Sequence, residues 1–346
     1  MAQSPHVRSL MAQPHTTSTA AGTIGELTQA NFTALSRLSI RRLVLAPLAV
    51  REPHWHANAN ELSYCVRGEA LVSMSGNGNE HHSFTIAAGQ MFFVPSGALH
   101  HIENTGREEA EFITGFSHER PEDFGMSGAF GAMTDAVLGN TYDLPASAFS
   151  GLRRGPADTN IGTRQAPAQI PPDARRKDPY KFDVDAMPAP VASAAGSARI
   201  AKTPYWPVLE NISMNSLRIT DEGMREPHWH PLTAEMGYVH EGRGRMTLLS
   251  PGGEVDTYLL SPGDVYFVPR AYPHHIEDIG EGELHFLVFF DRSTPGNIGY
   301  KASVGGFSKE VLAASFGITP DDMADLPFTP EDPLLVSRRN PVDPVR

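Results

Sequence analysis

The six-residue string Arg-Glu-Pro-His-Trp-His stands at positions 51–56 and again at 225–230. The shift that carries Arg51 onto Arg225 also carries Glu61 onto Glu235, Gly68 onto Gly242, Gly89 onto Gly263, Pro95 onto Pro269 and His100 onto His274, with no net insertion or deletion. It goes on to place Thr134, Val137, Leu138 and Tyr142 on Ser308, Val311, Leu312 and Phe316, so the repeat runs from Arg51 to Tyr142 in one copy and from Arg225 to Phe316 in the other. A period that takes up half of the chain exceeds any solenoid unit, so each copy must bury a core of its own. A chain of 346 residues has the length for two such domains.

Within each copy short apolar runs alternate with turn signals. EALVSMS, HSFTIAAG and QMFFVP in the first copy match GRMTLLS, VDTYLLSPG and DVYFVP in the second, with SGNGN and SPGG between them. With Gly 31 and Pro 29 this pattern predicts an all-β fold, a sandwich or barrel. The helical signals are MTDAVLGN and FSKEVLAASFG, where Thr134 and Ser308 occupy N-cap positions, so a short helical cap is expected after each barrel. The expected division is a disordered tail over 1–24, a first domain over 25–150, a Pro/Ala/Gly-rich linker over 151–179 and a second domain over 180–346.

The formal net charge of -12 argues against nucleic-acid or anionic-membrane partners. A small anionic substrate stays open, because local arginines or a metal can invert the field inside a cavity. Cys65 is the one cysteine, so no intramolecular disulfide can form. No apolar run is long enough to span a bilayer and the first residues lack the apolar core of a secretory signal, which makes the cytoplasm the default compartment.

On a strand, residues two apart share a face, so His54 and His56 project together while Trp55 turns away. Glu61 has the wrong parity for the same straight strand; the ANAN between them predicts a bend or bulge, and His100 is expected to complete the set from the far side of the barrel. His228, His230, Glu235 and His274 repeat the arrangement. Three imidazoles and a carboxylate form a nitrogen–oxygen site with coordination positions left open, suited to manganese or iron, with copper and zinc competing on affinity. The competing reading is core histidines copied by duplication, against which stands the recurrence of all four ligand types between otherwise divergent copies. His81, His82, His118, His240 and His285 have no histidine counterpart, whereas His101 and His275 recur but face away from their neighbours.

His54, His56, Glu61 and Gly68, then Gly89, Pro95, Gly97, His100 and Asn104, fit the two cupin motifs, and the second copy departs at Ala271 and Asp278. The chain therefore resembles a bicupin, two tandem double-stranded β-helix (jelly-roll) barrels, and with Arg-Glu-x-His-Trp-His in both copies it is similar to the bicupin oxalate decarboxylases. That resemblance implies a manganese- and dioxygen-dependent cleavage of oxalate to formate and carbon dioxide, one metal per domain, in a homo-oligomer. It implies that Arg51 and Arg225 hold the substrate dianion, the alternative being a structural ion pair for each. It also implies a proton-moving carboxylate on a lid, for which Asp123 and its neighbour Glu122 stand at the matching place, while the second copy has Gly296 and Asn297 there. The alternatives are an oxidase or dioxygenase acting on oxalate or another small carboxylate or phenol, and a metal-binding cupin without turnover.

Overall fold

A computed structural model describes residues 5–221, 223–280 and 282–342; residues 1–4 of the expected tail and 343–346 of the expected second domain lie outside them. The chain divides into two compact units. One comprises Leu10–Ala186 and Trp206–Ile212, and the other takes the chain up to Ser9, Met187–Tyr205 and the chain from Ser213 onward. Each is an antiparallel two-sheet barrel, as the alternation of short strands and turns predicts.

In the N-terminal unit the seven-stranded sheet runs Lys181–Asp183, Gln90–Val94, Glu61–Arg67, Ala110–Phe116, Ser39–Leu45, Gly22–Leu27, Thr17–Thr19. The facing sheet runs Asp123–Gly125, Ala49–His56, Leu99–Asn104, Glu69–Ser75, His81–Ala87, with Ile161–Thr163 pairing the other end of Ala49–His56. Val72, Phe84, Phe92, Ile102 and Phe112 fill the space between the sheets. The central strand Ala110–Phe116 is buried along its length, and its outward Glu111 is matched by Arg42 at 2.6 Å and Arg67 at 2.7 Å. Trp206 closes one end of this unit, stacked on Phe182 at 5.1 Å with its indole N–H donated to the Pro179 carbonyl at 2.7 Å.

The C-terminal unit repeats the plan. Its larger sheet runs Val7–Ser9, Asp264–Val268, Glu235–Glu241, Leu284–Phe290, Ser213–Ile219, Gly196–Ala201, Val191–Ser193. The smaller runs Val255–Leu260, Gly244–Leu249, His274–Asp278, Gly223–Trp229, Ile298–Gly299, with Leu335–Ser337 also on Gly223–Trp229. The helices Asp135–Tyr142 and Lys309–Phe316 follow, one per unit, with the Thr134 and Ser308 hydroxyls accepting from the Val137 and Val311 amides.

Three sequence expectations change. Residues in the expected tail form Val7–Ser9, Thr17–Thr19 and the start of Gly22–Leu27, and the expected linker contains Ile161–Thr163. These stretches read as loop because short edge strands draw their order from a partner rather than from their own propensity. Their counterparts obey the shift that relates Arg51 to Arg225: it carries Thr17–Thr19 onto Val191–Ser193 and Ile161–Thr163 onto Leu335–Ser337. Lys181–Asp183, placed by its number in the second domain, belongs to the N-terminal unit, and Val7–Ser9, which the same shift carries onto it, belongs to the C-terminal one. The duplication thus extends over nearly the whole described chain, and the C-terminal barrel takes its edge strand Val7–Ser9 from a stretch far from the rest of its sequence.

One departure from the motif carries backbone strain. Gly97 sits at φ 79 and its counterpart Ala271 at φ 64, and their N–H groups donate to the carbonyls of His56 and His230 at 2.8 and 3.0 Å. A side chain in the left-handed region costs about 1–2 kcal/mol, partly offset by the greater freedom glycine gives the unfolded chain. Ala271→Gly should therefore stabilise the C-terminal unit by about 1 kcal/mol, measured by denaturant unfolding, and an unchanged or lower midpoint would remove the strain argument.

Candidate metal centres

Strand register explains how Arg51, His54 and His56 come to share one buried face. His54 lies opposite His100, and Arg51 lies opposite Ile102, so three residue steps on one strand span two on its partner. The extra residue is a β-bulge at Glu52–Pro53, where a proline, having no N–H, takes nothing from the ladder. Arg51, His54 and His56 are all buried despite their uneven spacing. The same bulge recurs at Glu226–Pro227, with His228 opposite His274 and Arg225 opposite Ile276. Glu61 escapes the parity problem because it opens a strand of the facing sheet; the turn between is held by Asn58, which accepts from the Glu122 amide, and Asn60, which accepts from the Ser96 amide. The far-side ligand is therefore Glu61, and His100, expected there, is the immediate neighbour of His54.

The four donor atoms of each set lie within 4.8 Å of one another, and all eight side chains are buried. Glu61 Oε2 is 2.8 Å from His56 Nε2 and 3.2 Å from His100 Nε2; Glu235 Oε2 is 2.7 Å from His230 Nε2 and 3.5 Å from His274 Nε2. The other ring nitrogens are engaged. Nδ1 of His54, His100, His228 and His274 donates to the carbonyls of Glu52, Ala98, Glu226 and Tyr272 at 2.8, 2.9, 2.7 and 3.0 Å. A carbonyl only accepts, so these rings carry their proton on Nδ1 and turn the Nε2 lone pair toward the common point. His228 Nε2 is buried with no hydrogen-bond partner, which is what a ligand atom aimed at a cation looks like without it. Burial, then the nearby Arg51 and Arg225, hold His54 and His228 well below the ordinary histidine value and so neutral. Burial alone would raise Glu61, but the His100 and His56 rings beside its carboxylate hold it below the usual carboxylate range. His56 is the exception: burial would lower it, but Asp123 and Glu61 on its two ring nitrogens raise it. Three ring nitrogens and an ionised carboxylate fit a divalent transition ion, and the lack of thiolate argues against a closed structural zinc site.

The cupin family model matches residues 9–148 and 186–324. The chain belongs to the cupin family. It is a bicupin resembling oxalate decarboxylase: it is 28% identical over 273 residues to an oxalate decarboxylase of Bacillus subtilis (strain 168), covering 77% of this chain and 70% of the relative. Over 119 residues it is 33% identical to an oxalate oxidase of Triticum aestivum, covering 33% of this chain and 53% of that one. The solved structure of oxalate decarboxylase from Bacillus subtilis at pH 4.6 superposes with a TM-score of 0.86 at 23% identity, covering 96% of this chain and 88% of the other, and shares its fold.

Around each centre of this bicupin lies a set of supporting residues that motif reading alone does not reveal. Asp123 accepts from His56 Nδ1 at 2.6 Å, and its other oxygen accepts from Arg41 at 2.8 Å and Arg51 at 3.3 Å. Burial would raise its pKa, but Arg41 first, then His56 and Arg51, hold it far below the carboxylate range. In this position Asp123 fixes the His56 ring and is held in its ionised form. The Glu122 side chain faces solvent. In the second barrel the Gly296 carbonyl takes the place of the Asp123 carboxylate on His230 Nδ1, at 2.7 Å. The outer carboxylate oxygens are held by exchanged residues: Ser63 donates to Glu61 Oε1 at 2.7 Å, and Tyr266 donates to Glu235 Oε1 at 2.7 Å. Gly237 stands where Ser63 does, and a Cβ there would lie 2.2 Å from the Tyr266 ring, so the glycine makes room for the tyrosine. That paired exchange at aligned positions is the one signal in the sequence that could have disclosed both residues. His101 and His275 pair outward with Glu103 and Glu277, away from the centres. Among the other histidines, His285 bonds Ser216 and His82 bonds Asp178.

Losing a hydrogen bond that holds a ligand typically lowers metal affinity 10–100-fold. Tyr266→Phe should weaken one of the two metal sites by about that factor and leave the other unchanged, as read by competitive chelator titration. Equal weakening of both, or of neither, would remove the assignment.

Proposed function

We propose that this bicupin is a manganese-dependent enzyme that cleaves oxalate to formate and carbon dioxide with dioxygen required. The observation that supports it is the pairing of each four-ligand centre with one buried arginine, Arg51 or Arg225, on the same bulged strand. A bound manganese ion would supply Lewis-acid and one-electron chemistry, held by His54, His56, Glu61 and His100 or by His228, His230, Glu235 and His274. The guanidinium presents a planar fork of donors to a carboxylate, and burial strengthens that pairing. Burial, then the neighbouring Arg41, lowers Arg51 to about 10, which leaves it protonated at neutral pH. Ile276, Val288 and Phe290 form the apolar part of the wall beside the second centre.

The net reaction, oxalate dianion plus one proton giving formate and carbon dioxide, needs a proton delivered to the carbon left after cleavage. Asp123 is held ionised by its cationic neighbours, and Asn297 at the matching place has none to give. This favours a second reading, oxidation of oxalate by dioxygen with two protons to two carbon dioxide and hydrogen peroxide, the activity by which the wheat relative is known.

Manganese-loaded protein given oxalate in air should release formate and carbon dioxide one to one. Peroxide in place of formate moves the assignment to the oxidase, and neither product removes oxalate as the substrate. Arg225→Lys keeps the charge but loses the fork, and should lower kcat/KM for oxalate by about 100-fold or about 2.7 kcal/mol, with metal content unchanged. Full activity in that variant would remove the arginine from the substrate site.

A further inference from the structure

The two centres differ in what lies over them. In the N-terminal unit Arg41 is pinned between two carboxylates, donating to Glu26 at 3.0 and 3.2 Å and to Asp123 at 2.8 Å, with its guanidinium 4.9 Å from the centre of the Phe116 ring. Arg51 joins the same Asp123 oxygen. The cavity on this side, of about 260 Å³, is lined by Glu26, Arg41, Arg51, Asp123 and their neighbours and includes none of the four ligands. Asp123 of this lining holds the ligand His56, so the ion-paired side chains are packed directly against the centre.

Under the shift that relates the two copies, Glu26, Arg41 and Asp123 become Ile200, Asn215 and Asn297, so all three charges are gone. A cavity of about 110 Å³ there reaches the ligands His230 and Glu235, with Arg225, Asn215, Asn297 and Lys202 as its remaining polar lining. Arg225 donates to the Leu334 carbonyl at 2.8 Å and to Asn297 Oδ1 at 2.5 Å, both neutral, where Arg51 meets a carboxylate. Asn215 Oδ1 is buried without a hydrogen-bond partner. Lys202, which replaces Thr28, adds a second cation to the lining. A cavity holding two cations, neutral amides and a metal site attracts a small anion and has room for one, since a single water needs only about 10–15 Å³ by the same measure.

We propose that the C-terminal centre is the one open to a small carboxylate or similar anion, and that the N-terminal centre is closed over by the Glu26–Arg41–Asp123 ion pairs. Asn215 and Lys202 are then specificity-determining residues, the first by leaving space and the second by its charge. That the anion in use is oxalate rests on the function proposed above; the difference in access does not.

Protein loaded with two cobalt(II) ions per chain and titrated with azide, followed by visible absorption, tests both parts. One cobalt in two should respond. Asn215→Arg, which puts the bulk of the Arg41 side chain into the second cavity, should weaken the response at least about 10-fold while two cobalts stay bound. Lys202→Ala, a partly exposed side chain whose loss spares the fold, should weaken it about 3-fold. An equal response from both cobalts, or one that survives Asn215→Arg at full strength, overturns the proposal. Should Asn215→Arg lose metal or fold, the wild-type stoichiometry and Lys202→Ala decide the matter, and an unchanged azide affinity in Lys202→Ala counts against it. Oxalate is then added as a competitor: failure to displace azide from the responsive centre sinks the oxalate reading while the access pattern stands.

Discussion

The hydrogen bonds from histidine Nδ1 to backbone carbonyls are the interaction on which both centres depend. Three imidazoles and a carboxylate buried at one point are unfavourable unless each polar atom is paired, at about 1–3 kcal/mol for every group left without a partner. The barrel meets this with its own main chain. Glu52, Ala98, Glu226 and Tyr272 each lie two residues before the histidine they hold, so the fold of the strand itself sets the tautomer and the direction of the opposite ring nitrogen. The bulge at Glu52–Pro53 is part of the same device, because without the extra residue Arg51 and His54 would face opposite sides of the sheet.

With the ligands fixed by main chain, side chains around them were free to change in compensating groups. Ser63 beside Phe92 and Gly237 beside Tyr266 deliver a hydroxyl to the same carboxylate oxygen from two different strands. Asp123 and the Gly296 carbonyl do the same for the second histidine. The Glu26–Arg41–Asp123 network and its neutral replacement Ile200, Asn215 and Asn297 changed as a set, since a lone buried charge would be strongly destabilising. Duplication preserved the coordination chemistry and let the approaches to the two centres diverge.

The motif positions show how much of this a reader of the chain alone can recover. All eight ligands were legible because their types cannot be exchanged without loss of the chemistry, and because the barrel returns them at constant spacing. The source of the fourth ligand was not, since strand parity says nothing once a turn passes the chain to the facing sheet at Asn58 and Asn60. Asp123 was legible as a candidate from its place in the chain, whereas its contacts with Arg41, Arg51 and His56 come only from the tertiary structure.

The amino-acid sequence by itself determined the all-β class, the twofold repeat, the two ligand sets and the arginine beside each, because these are local patterns multiplied by duplication. Tertiary structure alone decided that Val7–Ser9 and Lys181–Asp183 are edge strands of barrels remote in sequence, that the N-terminal centre is shielded, and that Tyr266 holds Glu235. The physical reason is range. A strand's periodicity or a ligand's identity is written within a few residues, whereas pairing partners, ion networks and the walls of a cavity join residues far apart along the chain, and no local pattern specifies which of them will meet.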